Sequence, residues 1–153
     1  MFNTLLTPET AALLHQLLLA IGLGFLIGAE REIAHKSAGI RTHTLVALGA
    51  ALFTVISSQF PGVSQDPTKI AAAIVSGIGF LAGGLIIFHD SKVQGLTTAA
   101  GLWVAAGIGM AVGFKLYALA IVATLLTLFI FIVLYPIEHR FIARINPKED
   151  DVA

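Results

Sequence analysis

The fold of this chain is decided by residues 22–53, which read GLGFLIGAEREIAHKSAGIRTHTLVALGAALF. Two long apolar segments lie on either side of a short charged segment, Glu30–Arg41. Charged groups next to hydrocarbon are costly, and proteins usually retain them there for function or for topology. The stretch therefore predicts two membrane helices joined by a polar loop.

The whole chain has the composition of a membrane protein. Of its 153 residues, 57% are hydrophobic and 12% are charged, and the mean hydropathy is +0.91. Soluble domains carry roughly 25% charged residues, so this chain cannot cover a water-facing surface. Its net charge of zero argues against a nucleic-acid partner, because phosphate binding requires a basic face. The absence of cysteine excludes disulfides and thiolate metal sites.

Five apolar segments are long enough to cross a bilayer as helices, which takes about 18–20 residues. They are also too long and too evenly apolar for the strands of a membrane barrel. The predicted fold class is an all-α membrane protein, with five transmembrane helices within residues 1–137 and a short cytoplasmic tail over 138–153. The predicted helices cover about residues 11–29, 42–60, 70–88, 96–114 and 116–137.

The distribution of lysine and arginine predicts the orientation of the bundle. With the Glu30–Arg41 segment in the cytoplasm, seven of the nine basic residues lie inside, and only Lys69 and Lys115 lie outside. Short cytoplasmic loops of membrane proteins carry such an excess of basic residues. We therefore expect the N-terminus outside and the C-terminus inside.

A weak internal repeat relates the first two helices to the next two. GLGFLIG at 22–28 matches GIGFLAG at 77–83, and K-x-x-G-I-x-T at 36–42 matches K-x-x-G-L-x-T at 92–98. Both halves start on the same side, so the repeat is predicted to be parallel rather than inverted. Chance similarity between glycine-rich apolar helices is the alternative.

Small residues recur at four-residue spacing in the first, third and fourth helices. In lipid, helices associate through close backbone approach, which small residues permit. We interpret these positions as packing sites within the bundle, and a seam between two copies of the chain is the alternative. The predicted helix-packing residues are Gly24, Gly28, Gly79, Gly83, Gly101 and Gly109.

The charged residues at the predicted cytoplasmic face form the candidate functional site. Glu30 and Glu32 fall where the first helix should end, and carboxylates there oppose the helix dipole at about 0.3–1 kcal/mol each. A Glu30–Arg41 pair would offset this cost, either as a structural salt bridge or as part of a polar site. The predicted cluster comprises Glu30, Arg31, Glu32, Lys36, Arg41, Thr42, His43, Asp90 and Lys92.

Three carboxylates of this cluster, Glu30, Glu32 and Asp90, are weak candidates for a Mg²⁺ site, since hard cations take oxygen ligands. Basic residues in the same region argue against it, and no acidic residue lies in the middle of a predicted helix to serve an ion pathway. The histidines lack zinc-binding spacing, and the serines lack the context of a nucleophile. We expect no cofactor and no enzymatic activity, with Mg²⁺ as a regulatory ion as the alternative.

Two blocks of the sequence resemble the MgtC/SapB family of bacterial inner-membrane proteins. The first block is IGLGFLIGAERE followed by AGIRTHTLVALGAALF. The second block is GFLAGGLIIF followed by VQGLTTAAGLWVAAGIGMAVGF. The resemblance covers about Leu17 to Pro136. Positions of the family pattern found here are Gly28, Glu30, Arg31, Glu32, Gly39, Arg41, Thr42, Gly95, Thr97, Thr98 and Trp103.

The resemblance implies a multi-pass inner-membrane protein linked to growth in low Mg²⁺. It implies a regulator that binds other membrane proteins, including the proton-translocating ATP synthase, rather than a carrier of Mg²⁺. We expect a homo-oligomer in contact with membrane lipid, with an ATP synthase or a transport ATPase as a further partner. The alternatives are a transporter or channel for Mg²⁺ or another small solute, and a scaffold whose charges only set topology. Longer members of the family carry a cytoplasmic C-terminal domain, for which Glu138–Ala153 is too short.

Overall fold

Five α-helices and one short β-hairpin make up the part of the protein, residues 7–59, 66–89 and 92–137, that a computed structural model describes. The last helix continues through a π-helical turn, Ile130–Leu134, to Ile137. The elements are α1 (Pro8–Ile33), α2 (Ile40–Gln59), α3 (Pro67–Gly83), β1 (Ile87–His89), β2 (Lys92–Gln94), α4 (Leu96–Gly113) and α5 (Tyr117–Phe129). The predicted tail, 138–153, lies outside the described residues.

Four helical segments are long and apolar enough to cross a membrane, which confirms the predicted all-α membrane fold. They are α1, α2, α4 and the continuous segment Tyr117–Ile137. The remaining apolar helix, α3, has 17 residues. At a rise of about 1.5 Å per residue it extends over roughly 25 Å, which is less than the ~30 Å of a hydrocarbon core.

Helix α1 extends beyond its predicted end near residue 29 and ends at Ile33. The backbone N–H of Ala34 donates to the carbonyl of Glu30 at 2.9 Å and closes the last turn. The charged residues Glu30, Arg31 and Glu32 therefore lie on the helix rather than in the loop. Because these residues are helical, a rigid backbone fixes the positions from which their side chains extend.

The third helix is predicted to reach residue 88, but α3 ends at Gly83. Gly83 is followed by Gly84, and glycine is the poorest helix former after proline. The backbone N–H of Leu85 donates to the carbonyl of Ala82 and closes a turn there. The β-branched and aromatic residues that follow favour a strand, and they form β1, which pairs antiparallel with β2.

Helices α1 and α2 pack antiparallel through glycines of α1. A Cβ on Gly24, in the middle of α1, would lie 2.8 Å from the Cβ of Ala47 in α2. A Cβ on Gly28, nearer the end of α1, would lie 2.6 Å from the Cα of Ile40, the first residue of α2. The backbones approach so closely that neither glycine has room for a side chain.

Helices α2 and α4 run in the same direction. Gly101, near the start of α4, lies against His43, near the start of α2, whereas Gly113 at the end of α4 lies against Thr54. The chain between them must therefore return to the starting side, and α3 carries it back. The end of the bundle where α1 ends and α2 and α4 begin is called the polar end below.

The glycines predicted to pack helices divide into two groups. Gly24, Gly28 and Gly101 lie against neighbouring helices, and Gly109 leaves no room beside the backbone of Ala47. Gly79 and Gly83 of α3 do not: in the described part of the chain, no atom of another segment lies within 4 Å of their Cβ positions. Helix α3 instead turns a different face to the bundle. The buried side chains of that face are Ile78 and Ala82.

Helix α5 lies at the periphery of the bundle. A tight turn connects it to α4, in which Lys115 adopts a positive φ of 63°. Most side chains of α5 are exposed, and only one stripe faces the core. The buried residues of this stripe are Ala120, Thr124, Thr127 and Phe131.

Candidate functional site at the polar end

A buried ion pair between sequence neighbours organises the polar end. The guanidinium of Arg31 donates through Nε and Nη2 to both carboxylate oxygens of Glu30, the Nη2–Oε1 distance being 2.6 Å. Only 4% of the Arg31 side chain and 16% of the Glu30 side chain are exposed. The predicted pairing of Glu30 with Arg41 is wrong, since Arg31 takes both oxygens and Arg41 is exposed in the first turn of α2.

The guanidinium of Arg31 also stacks on an aromatic ring. Its Cζ lies 3.6 Å from the centroid of the Phe131 ring. Phe131 belongs to the π-helical turn of the last helix, and it is 8% exposed. A desolvated cation–π contact of this kind contributes about 2 kcal/mol. Arg31 is thus bound on one side by a carboxylate and on another by an aromatic face.

Phe131 continues the buried stripe of the last helix. It stands four residues after Thr127 and seven after Thr124, which is the spacing of one helix face. Ile130 and Ile132, on either side of Phe131, are about half exposed. The buried stripe therefore ends in one aromatic residue that faces inward from a helix whose side chains are mostly exposed.

A buried histidine, His43, lies close to Phe131. A Cβ on Gly101 would lie 2.9 Å from Phe131 Cζ and 3.4 Å from His43 Nε2, so the three residues meet at one point. His43 is fully buried, and its Nδ1 is 3.1 Å from the carbonyl oxygen of Gly39. Because a carbonyl can only accept, Nδ1 carries the proton of that bond. Nε2 is buried without a partner among the described residues.

The second carboxylate near the end of α1, Glu32, binds the start of α2. Glu32 Oε2 accepts a hydrogen bond of 3.1 Å from the backbone N–H of Ile40. The first N–H groups of a helix lack internal partners, and a carboxylate there also complements the helix dipole. A Cβ on Gly39 would overlap this carboxylate oxygen, so glycine is required for the contact.

The remaining residues of the predicted cluster do not join this core. Lys36 is exposed, with Nζ 5.2 Å from the centroid of the Tyr135 ring. Arg41, Thr42 and Lys92 are exposed. Asp90 lies outside the described residues.

Two of the three carboxylates proposed for Mg²⁺, Glu30 and Glu32, lie among the described residues and have partners there. The residues of 7–59, 66–89 and 92–137 contain no group of three metal-ligating side chains. Both oxygens of Glu30 are engaged by Arg31, and Glu32 is engaged by a backbone N–H. Mg²⁺ would have to displace Arg31 from Glu30, whereas Glu32 accepts one hydrogen bond and a carboxylate has further lone pairs for a cation. The Mg²⁺ site therefore stays a prediction.

Two features of the interior escaped the sequence reasoning. Phe131 gave no signal, because it stands in a run of bulky apolar residues. Gln16 did give one, as an uncharged polar residue within an apolar helix. It is 1% exposed, and its Nε2 donates to the Tyr117 hydroxyl at 3.1 Å, linking α1 to α5 at the opposite end from the ion pair.

Comparison with known proteins shows what the chain is similar to. The sequence matches the model of the MgtC family over residues 17–140. It is 38% identical over 138 residues to YhiD of Escherichia coli (strain K12), which is named as a candidate magnesium transporter; the match covers 86% of this chain and 64% of YhiD. No solved structure matches the chain.

Two further relatives also match most of this chain. The chain is 50% identical over 115 residues to the protein MgtC of Brucella abortus (strain 2308), covering 75% of this chain and 48% of that protein. It is 36% identical over 153 residues to an uncharacterized protein of Haemophilus influenzae, covering 94% of this chain and 64% of that protein. The chain thus spans between about half and two thirds of the length of these relatives.

Proposed function

The chain belongs to the MgtC family, and from this premise we propose that it is a non-enzymatic regulator in the bacterial inner membrane. In this proposal the protein adapts the cell to low Mg²⁺ by contacting other membrane proteins, and it carries no Mg²⁺ itself. Its membership of the family and its four helical segments that are long and apolar enough to cross a membrane support a multi-pass location.

The observation that carries the proposal is how the carboxylates at the polar end are used. Glu30 neutralises Arg31, and Glu32 caps α2. Glu32 therefore links α1 to α2, and Glu30 holds the Arg31 guanidinium that stacks on Phe131 of the last helix. A protein that releases and binds Mg²⁺ at this end would need these oxygens available to the ion.

The proposed partners are a second copy of the chain, an ATP synthase or a transport ATPase. An open apolar groove of about 620 Å³ between α2 and α3 supports a role in contacts within the membrane. Gly49 and Gly77 on its walls have no neighbouring atom within 4 Å of their Cβ positions. Small residues exposed along a helix permit the close approach of another helix. Mg²⁺ as a regulatory ion belongs to the same proposal, bound only when the partners of Glu30 or Glu32 change.

A second candidate function is the transport of Mg²⁺ or another small solute. The name of YhiD favours it, as do three buried polar atoms in the bundle. Polar groups inside a membrane bundle often mark a solute pathway. The atoms without a partner among the described residues are Gln16 Oε1, His43 Nε2 and Thr44 Oγ1.

One pair of measurements separates the two functions. The purified chain is reconstituted alone into vesicles that contain a Mg²⁺-sensitive dye, and Mg²⁺ is added outside. In parallel, membranes from cells grown in high and low Mg²⁺ are solubilised, and the proteins that copurify are identified. The regulator predicts no Mg²⁺ flux above empty vesicles and a membrane-protein partner enriched at low Mg²⁺.

The opposite result would establish the transporter. A saturable Mg²⁺ flux that is lost in His43→Leu, but kept in the exposed-site variant Thr42→Val, would overturn the regulatory proposal. Copurification of the same proteins at both Mg²⁺ concentrations, together with flux, would also count against it.

A further inference from the structure

The β1–β2 hairpin exposes large apolar side chains at the polar end of the bundle. Phe88 is 73% exposed, Ile87 is 60% exposed and Val93 is 50% exposed. The hairpin follows α3 and leads directly into α4. Neither the ion pair nor the packing of helices involves these side chains.

The pairing register makes the hairpin amphipathic. Phe88 lies directly opposite Val93, and Ile87 lies opposite Gln94. Opposed residues project from one face of a sheet, and successive residues alternate between the two faces. One face therefore carries Phe88 and Val93. The other face carries Ile87, Lys92 and Gln94, and two of these three are polar.

The fold fixes the depth of the hairpin relative to the membrane. It joins α4 at Leu96, near the point where Gly101 lies against His43, so it stands at the polar end. Helix α3 covers only about 25 Å before it ends. A hydrocarbon core of ~30 Å thus leaves the segment from Gly84 onward near the boundary between acyl chains and headgroups.

The backbone of the hairpin favours the same depth. A two-stranded hairpin leaves the backbone N–H and C=O groups at the outer edge of each strand without a strand partner. Unpaired backbone groups of this kind are not tolerated in hydrocarbon. Apolar side chains such as Phe88, by contrast, are disfavoured in water. Only the interfacial layer suits both the backbone and the apolar side chains. It offers water and headgroups to the backbone and acyl chains to the side chains.

Exposed cations at the polar end indicate the chemistry of the lipid. Lys92 is exposed on the polar face of the hairpin, and Arg41 is exposed in the first turn of α2. Arg31 neutralises Glu30. Glu32 is exposed and keeps its negative charge, but the exposed cations Lys36, Arg41 and Lys92 outnumber it among the described residues of the polar end. Basic residues close to a membrane surface attract anionic lipid headgroups.

We propose that the β1–β2 hairpin is an interfacial lipid-binding element. Phe88 and Val93 enter the upper acyl-chain region, and Lys92 contacts the phosphate of an anionic lipid such as phosphatidylglycerol. The hairpin holds the polar end of α3 and α4 at a fixed depth in the membrane. This role requires only that the chain spans a membrane, and it holds whether the protein regulates or transports.

A depth measurement tests the first part of the proposal. Trp103 is the single tryptophan, so Trp103→Phe provides a background into which Phe88→Trp is introduced. The matched control is Leu125→Trp, on the exposed face of α5. In phosphatidylglycerol vesicles, lipids brominated near the headgroup should quench Phe88→Trp more than lipids brominated near the chain end. Leu125→Trp should show the reverse order.

Two results would overturn this placement. Absence of quenching by either lipid would put the hairpin in water or beneath protein. Stronger quenching by the deep lipid would put it in the hydrocarbon core.

A charge variant tests the contact with anionic lipid. The emission of Phe88→Trp is compared in phosphatidylglycerol and phosphatidylcholine vesicles, with Lys92→Gln or Lys69→Gln added. Lys69 is exposed in the first turn of α3, at the opposite end of the bundle, and serves as the control. We expect a shorter emission wavelength in phosphatidylglycerol, lost in Lys92→Gln and kept in Lys69→Gln. Identical spectra in both lipids would refute the anionic contact.

A cross-linking measurement tests whether a second copy of the chain covers the hairpin. The chain has no cysteine, so Val93→Cys is the only thiol of its variant. At a low ratio of protein to lipid, we expect little disulfide-linked dimer under oxidation. A dimer formed in high yield would mean that a second copy covers the hairpin, and the lipid-binding role would be abandoned.

Discussion

The guanidinium of Arg31 lies 3.6 Å from the centre of the Phe131 ring, at the point where the last helix widens into a π-helical turn. This contact joins the end of α1 to the last helix. It also places a buried cation between a carboxylate, Glu30, and an aromatic face. The packing of the polar end depends on these three side chains more than on the exposed charges around them.

Phe131→Leu tests the aromatic contribution. Leucine keeps most of the apolar volume, and such exchanges usually cost less than about 1.5 kcal/mol. Loss of the cation–π contact should add about 2 kcal/mol, so the free energy of unfolding in mild detergent should fall by about 2–3 kcal/mol. Phe129→Leu is the control, since Phe129 is exposed. Equal stabilities of the two variants would show that the ring does not interact with Arg31.

Glu30→Gln and Arg41→Gln should behave differently. Removing the carboxylate leaves the buried Arg31 without its ion-pair partner, which costs about 3–5 kcal/mol when one partner of a buried pair is removed. Arg41 is exposed, and exposed substitutions usually stay within about 0.5 kcal/mol. Denaturation in detergent measures both. If Arg41→Gln were the more damaging change, the ion pair would have been assigned to the wrong arginine.

Gly109→Ala and Gly107→Ala form a matched pair on α4. A Cβ at position 109 would overlap the backbone carbonyl of Ala47, which cannot move without separating α2 from α4. Overpacking of this kind costs about 1–3 kcal/mol or more. A Cβ on Gly107 meets nothing within 4 Å, so alanine there should stabilise the protein by about 0.4–1 kcal/mol. Thermal unfolding followed by circular dichroism should show a lower melting temperature for Gly109→Ala, and a higher one for Gly107→Ala, than for the parent protein.

Gly39→Ala and Glu32→Ala should be strongly coupled. Each change removes the hydrogen bond from the Ile40 N–H to Glu32, the first by displacing the carboxylate and the second by deleting it. Loss of a helix N-cap costs about 0.5–2 kcal/mol. In a double-mutant cycle, the double variant should be no less stable than the worse single variant. Additive losses would show that Gly39 acts independently of the cap.

Much of the fold could be predicted from the sequence because hydropathy and segment length depend only on consecutive residues. The apolar runs identified the helices, and Gly24, Gly28, Gly101 and Gly109 stood at the spacing that close helix packing requires. Gly83 and Gly84 marked the end of α3, but the long apolar run beyond them concealed it. The hairpin was missed because Ile87 and Phe88 are equally apolar in a helix and in a strand.

What the sequence determined by itself is that the chain crosses a membrane as apolar helices, and that its charges gather at helix ends, because hydrocarbon admits only backbones that satisfy their own hydrogen bonds and few charges. What only the tertiary structure decided is which groups meet. Arg31 could have been neutralised by any nearby carboxylate, and Glu30 by Arg41. Glu30 and Arg31 are neighbours on α1, and Phe131 of the last helix packs against the guanidinium of this buried pair. That contact depends on how closely the helices pack and not on the order of residues along the chain.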